Sequence, residues 1–579
     1  MQTIPAKLLE NGSRYADQPA YSTRIDGQWV AVTWADYADE IKTAARALLA
    51  LGVTPGDRVA ILGWNRPAWT IFDAAAMAIG AIPAGIYPTS SPEECEYVLN
   101  HSGAVVLLVQ DVEQWEKVDR IRSVVPALHT VVTMPESDLI DEDVVLSWDV
   151  FIERAGGAAA DAVDARLAEL GPGDAATLIY TSGTTGPPKA VMLSHENLSW
   201  TAQQAVTELD VGPEDSTLSY LPLCHIAEQL FTIHGAASTG YQVFYVDDIA
   251  ELATYLKEVR PTIFFAVPRV WEKFHTGITA ELGKATGIKA SIANRAMSVA
   301  RAVHAARNQG QEPGFLTRTE YGMYAGLVYS KVKEAIGLDR NRLAISGAAP
   351  ITPELLVFFA GLDLPILEEY GQSENTGLAT INMPGKTEYG TTGPLFPGID
   401  VRIADDGEIL VRGKNVFLGY FKDETATSAD LKDGWLHSGD LGEIDENGFL
   451  RITGRKKDII ITAAGKNVTP ALIEGRLKAN PLISEVVVIG DRQRYLTALM
   501  VLDPDMAARF TDEDAVKAEI DEHVAAVNET LARVEQIKKY TVLDHEFTID
   551  SGELTPTLKV KRNVVSEHYA SEIAAMYAD

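Results

Sequence analysis

Positive charge is what this chain has least of. Fifty lysines and arginines stand against 81 aspartates and glutamates, a formal net charge of −31 over 579 residues. A nucleic-acid backbone needs a basic face, so this balance excludes nucleic acid as the default partner. It also denies the chain a general electrostatic hold on anionic lipid. An anionic substrate must be met by local clusters of Lys and Arg. Cysteine is nearly absent. Cys95 and Cys224 allow one bond at most, which reads as a reduced, cytoplasmic setting. Cys224 precedes His225, but neighbours on extended backbone point apart, so the pair is not read as a thiol with its base. Long apolar runs are missing too. The most apolar stretch, residues 73–87, is rich in Ala and Gly, contains Pro83 and is too short to span a bilayer. It reads as a packed helix running into a strand. Residues 1–7 lack the charged start and apolar core of a secretion signal. There is no internal repeat and no low-complexity tract.

What is present is ordinary globular composition, 46% hydrophobic and 23% charged, on a chain too long for one core. Two helical patterns, near residues 6–16 and 34–51, precede an alternation. Strands are expected at 58–63, 81–87, 104–109 and 130–133, with a helix at 67–78. The alternation resumes with strands at 242–246 and 262–267. It implies α/β architecture, parallel sheets with helices on both faces. Residues 275–340 are helical, Ala-rich and dotted with Lys and Arg, with a break at 310–314, and read as an insertion on the sheet. Past residue 390 the strands shorten into a β-rich subdomain. The favoured domain boundary falls at Gly454-Arg455-Lys456-Lys457-Asp458, giving units 1–454 and 455–579. The second reads as α+β, with a hairpin of strands 485–490 and 497–502 and a long helix at 514–534.

The densest chemical signal is Thr181-Ser182-Gly183-Thr184-Thr185-Gly186-Pro187-Pro188-Lys189, set between expected strands at 175–180 and 190–193. Glycines let backbone N–H groups approach an anion, hydroxyls add donors, and Lys189 adds a point charge. That is a phosphate cradle. It is not a Walker A loop, because the glycine spacing differs and Ala190 follows the lysine.

Four further stretches carry chemistry. Glu369-Tyr370-Gly371-Gln372-Ser373-Glu374 follows a strand at 364–367, and a carboxylate at a strand's end suits Mg²⁺ on a nucleotide phosphate. Ser346-Gly347-Ala348-Ala349-Pro350 has backbone free to lie against a flat ring. In Trp435-Leu436-His437-Ser438-Gly439-Asp440-Leu441, Asp440 offers two acceptor oxygens to vicinal hydroxyls. The last is Ser551-Gly552-Glu553-Leu554-Thr555-Pro556-Thr557-Leu558-Lys559-Val560-Lys561. Taken singly, each also reads as an ordinary turn or a solvated charge run.

Taken together and in this order, these motifs resemble those of the adenylate-forming superfamily, and the series from Tyr180 to Lys559 covers most of the chain. The resemblance implies ATP, Mg²⁺ and coenzyme A. It places ATP on Thr181, Ser182, Gly183, Thr184, Thr185, Gly186, Lys189, Gly347, Ala348, Ala349, Glu368, Glu369, Tyr370, Gly371, Ser373, Asp440, Arg455 and Lys559. In detail, Tyr370 would stack on adenine, Ser373 contact the α-phosphate and Asp440 the ribose. Glu374, with Thr184, would hold Mg²⁺. Lys559 would reach the bond being made, with Lys561 as the alternative. Lys457 stands at the family's hinge, and Gly465, Lys466 and Asn467 would meet the thiol arm of CoA. Two positions depart from the common pattern: Ser373 where Thr is usual, and Leu558 where Gly usually precedes the lysine. The second departure matches the long-chain branch.

Tyr220-Leu221-Pro222-Leu223-Cys224-His225 resembles the segment bordering the acyl site, which gives His225 a wall or gating role. Val267-Pro268-Arg269-Val270-Trp271 is similar to a segment of long-chain acyl-CoA synthetases. The implied activity is long-chain fatty acid–CoA ligation through an acyl adenylate. The alternatives are a fatty acyl–AMP ligase serving a separate carrier protein and an idle nucleotide- or acyl-binding regulator. The implied partners are small molecules, with peripheral membrane contact left open.

Overall fold

The computed structural model describes residues 2–135, 137–181, 187–549, 551–555 and 559–578. Its largest sheet has eight strands. Val106–Val109, Arg58–Leu62, Ile82–Ile86 and Ala175–Thr181 run parallel at its centre. They are short runs of Val, Ile, Leu and Ala, almost wholly buried, as strands covered on both faces must be. The helix Pro67–Ala78 joins two of them. Proline opens it where a missing N–H costs nothing, and every later residue of the helix is buried. The apolar stretch 73–87 is thus a helix entering a strand, as expected.

Ala175–Thr181 and Lys189–Ser194 pair antiparallel out to Thr181↔Lys189. The hydroxyl-rich loop starts where that ladder stops. Its residues Ser182, Gly183, Thr184, Thr185 and Gly186 lie outside the described residues.

A second sheet sets Ile263–Ala266, Leu343–Ser346 and Ile366–Tyr370 in parallel, with Thr380–Ile381 antiparallel at the edge. The Ser346–Pro350 and Tyr370–Glu374 motifs both begin at carboxyl ends of these strands, the side where open α/β sheets bind ligands. Between the first two strands stands the expected helical insertion: Pro268–Gly283, Ile288–Asn308, Phe315–Tyr324 and Ser330–Ala335, broken between Asn308 and Phe315. A small core of its own, with Ala296, Val299, Ala300, Tyr324 and Tyr329, holds it.

One hairpin escaped the sequence reading. Pro19–Ile25 and Gln28–Thr33 pair antiparallel and complete a third sheet with Gln242–Tyr245 and Ser216–Ser219. Its turn is Asp26-Gly27, both left-handed, at φ 49° and 78°. An Asp-Gly pair between alternating β-formers is the strongest local hairpin signal, and it was there to be read.

Beyond Gly398 comes the β-rich part, a five-stranded sheet built on Glu408–Gly413 and Trp435–Ile444. After the 3₁₀ turn Lys456–Asp458, a three-stranded sheet carries its own cores. The helix expected at 514–534 is Glu513–Glu529. It stops because Asn528 turns its amide onto the Ile537 backbone, at 2.9 Å on both sides, and pulls the chain into the strand Ile537–Val542.

Candidate active site

Asp440 organises the polar end of the site. It lies on the long strand Trp435–Ile444, buried, opposite Arg455 in the antiparallel register. Tyr370 donates its hydroxyl to Oδ2 at 2.9 Å, Gln372 donates its amide to the same oxygen, and Arg455 donates Nε to Oδ1 at 2.9 Å. The motif from the second sheet and the basic boundary therefore meet on one carboxylate. Gln372 also reaches the Ser438 carbonyl at 2.9 Å, tying the two loops together. The Tyr370-Gly371 backbone is pressed against Gly377: a Cβ on Gly371 would come within 2.2 Å of the Gly377 carbonyl carbon.

Glu374, half-buried, accepts from the Tyr420 hydroxyl at 2.8 Å. The same hydroxyl stands 3.0 Å from Asp430, whose other partner is Lys189 at 3.4 Å. One phenolic proton cannot serve two carboxylates at once, so the Lys189 charge, also 4.2 Å from the Tyr420 ring centre, offsets the pair. Sequence reading missed Tyr420, Asp430 and Gln372. Gln372 sits inside a motif; Tyr420 and Asp430 carry no local signal.

Lys559 comes from the other domain. The backbone on either side of residues 556–558 is paired, with Thr555 N–H on the Lys559 carbonyl at 2.8 Å and Lys561 N–H on the Glu553 carbonyl at 2.8 Å. Glu553 is buried, with Tyr569 donating to its carboxylate at 2.9 Å. Lys559 is exposed to solvent, within electrostatic reach of Arg455, Asp440, Glu374 and His225. Its ammonium is held below its ordinary range by the surrounding protein and by Arg455, against the opposing pull of Asp440 and Glu374. Lys561 instead begins the helix Arg562–His568. Across from Lys559, His225 caps a short helix by taking the Ala227 N–H on Nδ1 at 3.2 Å. Burial and then the Lys559 charge push its imidazole down to about 4. The ring is neutral at neutral pH. Neighbouring Cys224 is buried, its thiol pushed well above its ordinary value by that burial, which leaves it inert.

The other expected residues fall as follows. Gly347 and Ala348 form the turn after Leu343–Ser346, with Ala348 in the left-handed region at φ 66°, uncommon for a residue with a side chain. Ala349 follows in the same loop. Ser373 is buried in the turn before Glu374. Glu368 is buried away from the cleft, pushed up to about 8 by burial against the pull of the Ile351 backbone. Glu369 turns to the opposite face of its strand. Thr181 is the last residue of the ladder, its hydroxyl 3.4 Å from the Lys189 carbonyl. Lys457 lies exposed in the 3₁₀ turn. Gly465, Lys466 and Asn467 form an exposed hairpin tip on the second domain, beside the Gln493 carbonyl that receives Ala463 N–H.

Glu369 lines an apolar pocket beside the cleft. Val206, Leu230, Phe231, Ile345 and Leu378 are among its walls. Among the described residues no three His, Cys, Asp or Glu side chains converge as a metal cage. Glu374 offers a hard oxygen in the cleft, with Asp430 sharing the same Tyr420 hydroxyl, a sparse donor set that fits Mg²⁺ held mainly by phosphates and water.

A polar cleft fed by two parts of the chain lies beside an apolar pocket, and the fold that holds them is shared with solved enzymes. It matches the anthranilate CoA ligase AuaEII in complex with anthranoyl-AMP at TM-score 0.76, with 20% identity over 99% of this chain and 98% of that one. It matches a Mycobacterium tuberculosis fatty acyl CoA synthetase at 0.64, with 24% identity over 98% and 99%. Residues 8–421 match the AMP-binding enzyme family and residues 457–579 its C-terminal domain. The chain belongs to the AMP-binding enzyme family. Among curated relatives, a long-chain-fatty-acid–CoA ligase of Mycobacterium bovis, FadD15, is 40% identical over 99% of this chain and 97% of its own length. ACSBG2 of Xenopus laevis, of the same description, is 34% identical over 100% and 84%.

Proposed function

We propose that the chain joins a long-chain fatty acid to coenzyme A, driven by ATP, through an acyl adenylate. The observation that carries this reading is the convergence of Lys559, Glu374, Asp440 and Arg455 beside the apolar cavity. A carboxylate is a poor acyl donor because oxide leaves poorly. Its oxygen attacks the α-phosphorus of ATP, and pyrophosphate leaves. The CoA thiol then attacks the acyl carbon, and AMP leaves. Both steps bring anions together, so positive charge from Lys559 and Lys189 stabilises the first. Glu374, with Thr184, would hold Mg²⁺, which would supply further charge neutralisation on the phosphates. Asp440 takes the ribose hydroxyls, and Tyr370 and the Gly347-Ala348-Ala349 turn flank the adenine. The phosphates lie on Thr181, the loop after it, and Ser373.

The two units, 1–454 and 455–579, rotate about Lys457 between the steps. In the arrangement seen Lys559 faces Glu374, Asp440 and Arg455, while Gly465, Lys466 and Asn467 are exposed, ready for CoA after rotation. Release of AMP and pyrophosphate that depends on a long-chain fatty acid, with thioester appearing on adding CoA, tests the reading. AMP release that ignores CoA and requires a carrier protein supports the fatty acyl–AMP ligase instead. No release with any acid leaves only a binding role. Glu374→Gln should raise the Mg²⁺ needed for adenylation; an unchanged requirement makes Glu374 structural.

The enzyme works in the cytoplasm at a membrane surface. No helix among the described residues is long and apolar enough to cross a membrane. Residues 284–335, however, carry eight Lys and Arg against three Asp and Glu, in a chain of net charge −31. The same insertion exposes Ile288, Phe315, Leu316, Met323 and Leu327, the first three by 73% or more. Apolar tips beside local positive charge suit an anionic bilayer surface. Phe315→Ser with Leu316→Ser should abolish co-sedimentation with phosphatidylglycerol vesicles; undiminished binding refutes the surface.

A further inference from the structure

We propose that Glu369 makes the mouth of the cavity a hydroxyl-recognising subsite, so that the preferred substrate is a long-chain fatty acid bearing a hydroxyl near its carboxyl end. The inference rests on reading the cavity as the acyl pocket. The cavity walls are otherwise built from Ala, Val, Leu, Ile, Phe and Gly, with two polar side chains, Tyr241 and Glu369. Tyr241 gives its hydroxyl to the Phe231 carbonyl. Among the described residues Glu369 makes no side-chain hydrogen bond and no ion pair. A long hydrocarbon chain needs no carboxyl in its path, and Glu369 is half-buried there without a protein partner, an arrangement that costs free energy whenever an apolar chain covers it.

Position narrows the substituent. Glu369 stands near the carboxyl end of Ile366–Tyr370, one residue before Tyr370, whose hydroxyl meets Asp440 on the other face. Its Oε2 lies against the turn after Leu343–Ser346: a Cβ on Gly347 would come within 2.3 Å of it. Ile345, Leu343 and Ile263 line the cavity further toward the amino ends of their strands. The cavity therefore recedes from Glu369 down the sheet, and an acyl chain entering from the cleft passes Glu369 with its first carbons.

Chemistry narrows it again. Burial lifts the Glu369 carboxyl to about 8, so at neutral pH it is mostly the acid, with one O–H to give and a carbonyl oxygen to receive. A cationic amine would favour the ionised form, whereas a hydroxyl matches the neutral one in both directions. A methylene at the same place strips the carboxyl of water and returns nothing. Discrimination against a substrate lacking the bonding group is typically tenfold or more when it leaves a buried polar group unpaired.

The test is kcat/KM for CoA thioester formation on 2- and 3-hydroxyhexadecanoate against hexadecanoate, in the full chain and in two variants. The wild type should favour one of the hydroxy acids by about tenfold or more. Glu369→Leu should bring that ratio to one or below, chiefly through a gain on hexadecanoate. Glu369→Gln keeps the hydrogen-bonding capacity and should keep the preference. A wild type that favours hexadecanoate overturns the proposal without any variant, and so does a ratio that survives Glu369→Leu. Failure to activate any of the three acids would refute the acyl-ligase reading itself, which a mere lack of preference leaves standing.

Discussion

Tyr370 has a carboxyl on either side. Asp440 receives hydrogen bonds from Tyr370, Gln372 and Arg455, and the Lys559 ammonium lies within electrostatic reach. Glu369, its neighbour in sequence, faces an apolar cavity with no partner among the described residues. On the cleft side hydrogen-bond donors already surround the carboxylate. On the cavity side burial works alone and favours the neutral acid. Two carboxyls flanking Tyr370 are thus given opposite surroundings. The cleft is prepared for charge, the cavity for hydrocarbon with one polar checkpoint.

The harshest way to break the cleft's half of that contrast is Lys559→Ala. Loss of one cation at the transferring phosphoryl group should slow adenylation by about a hundredfold or more. Thioester formation from preformed acyl adenylate should be largely retained. Equal loss of both half-reactions refutes the role, and a silent Lys559→Ala beside a dead Lys561→Ala moves it to Lys561.

Lys457→Pro tests whether the cleft is emptied by rotation. The 3₁₀ turn Lys456–Asp458 has backbone angles close to the φ of about −65° that proline imposes, so the arrangement seen should tolerate it. ATP–pyrophosphate exchange should survive while thioester formation falls about tenfold or more, an order taken from the cost of blocking a required closure. Lys457→Ala should do far less. If Ala harms the second step as badly as Pro, the lysine contacts CoA and the pivot lies elsewhere in the turn.

Asp440→Asn keeps the shape and removes the charge that Arg455 and Tyr370 share. KM for ATP should rise about tenfold, the scale of one charge-assisted hydrogen bond, with a smaller change in kcat. A kcat effect larger than the KM effect would place Asp440 in the chemistry rather than in nucleotide binding.

The gentlest test reads the cavity side through stability. The folded chain keeps the Glu369 proton up to about 8, whereas an unfolded carboxyl loses it near its ordinary 4.5. Between those values the folded state binds more protons, so this group's contribution to stability falls as pH rises, and the fall is complete above about 8. Glu369→Leu removes that slope. Its melting temperature relative to the wild type should climb as pH goes from acid to about 8. Glu368, raised to about 8 by the same cause, is present in both proteins and cancels. A pH-independent difference would mean that Glu369 is ionised, and that the two carboxyls do not differ as argued.

The order of motifs, the alternation of strands and helices and the helical insertion were legible because each depends on near neighbours: turn chemistry, periodicity and short apolar runs. Pro67–Ala78 and Thr130–Thr133 have the limits their patterns predict. The Pro19–Ile25 hairpin is equally local, its Asp26-Gly27 turn set between two runs of β-formers. Tertiary structure alone decided the rest. Asp440 meets Tyr370 across seventy residues of sequence, and Tyr420 joins Glu374 to Asp430, because separate sheets are packed edge to cleft. Above all, it decided the split between Glu368 and Glu369. Alternation along a strand says that they face opposite ways, but not which face looks onto a cavity. That depends on what the rest of the chain packs against each side.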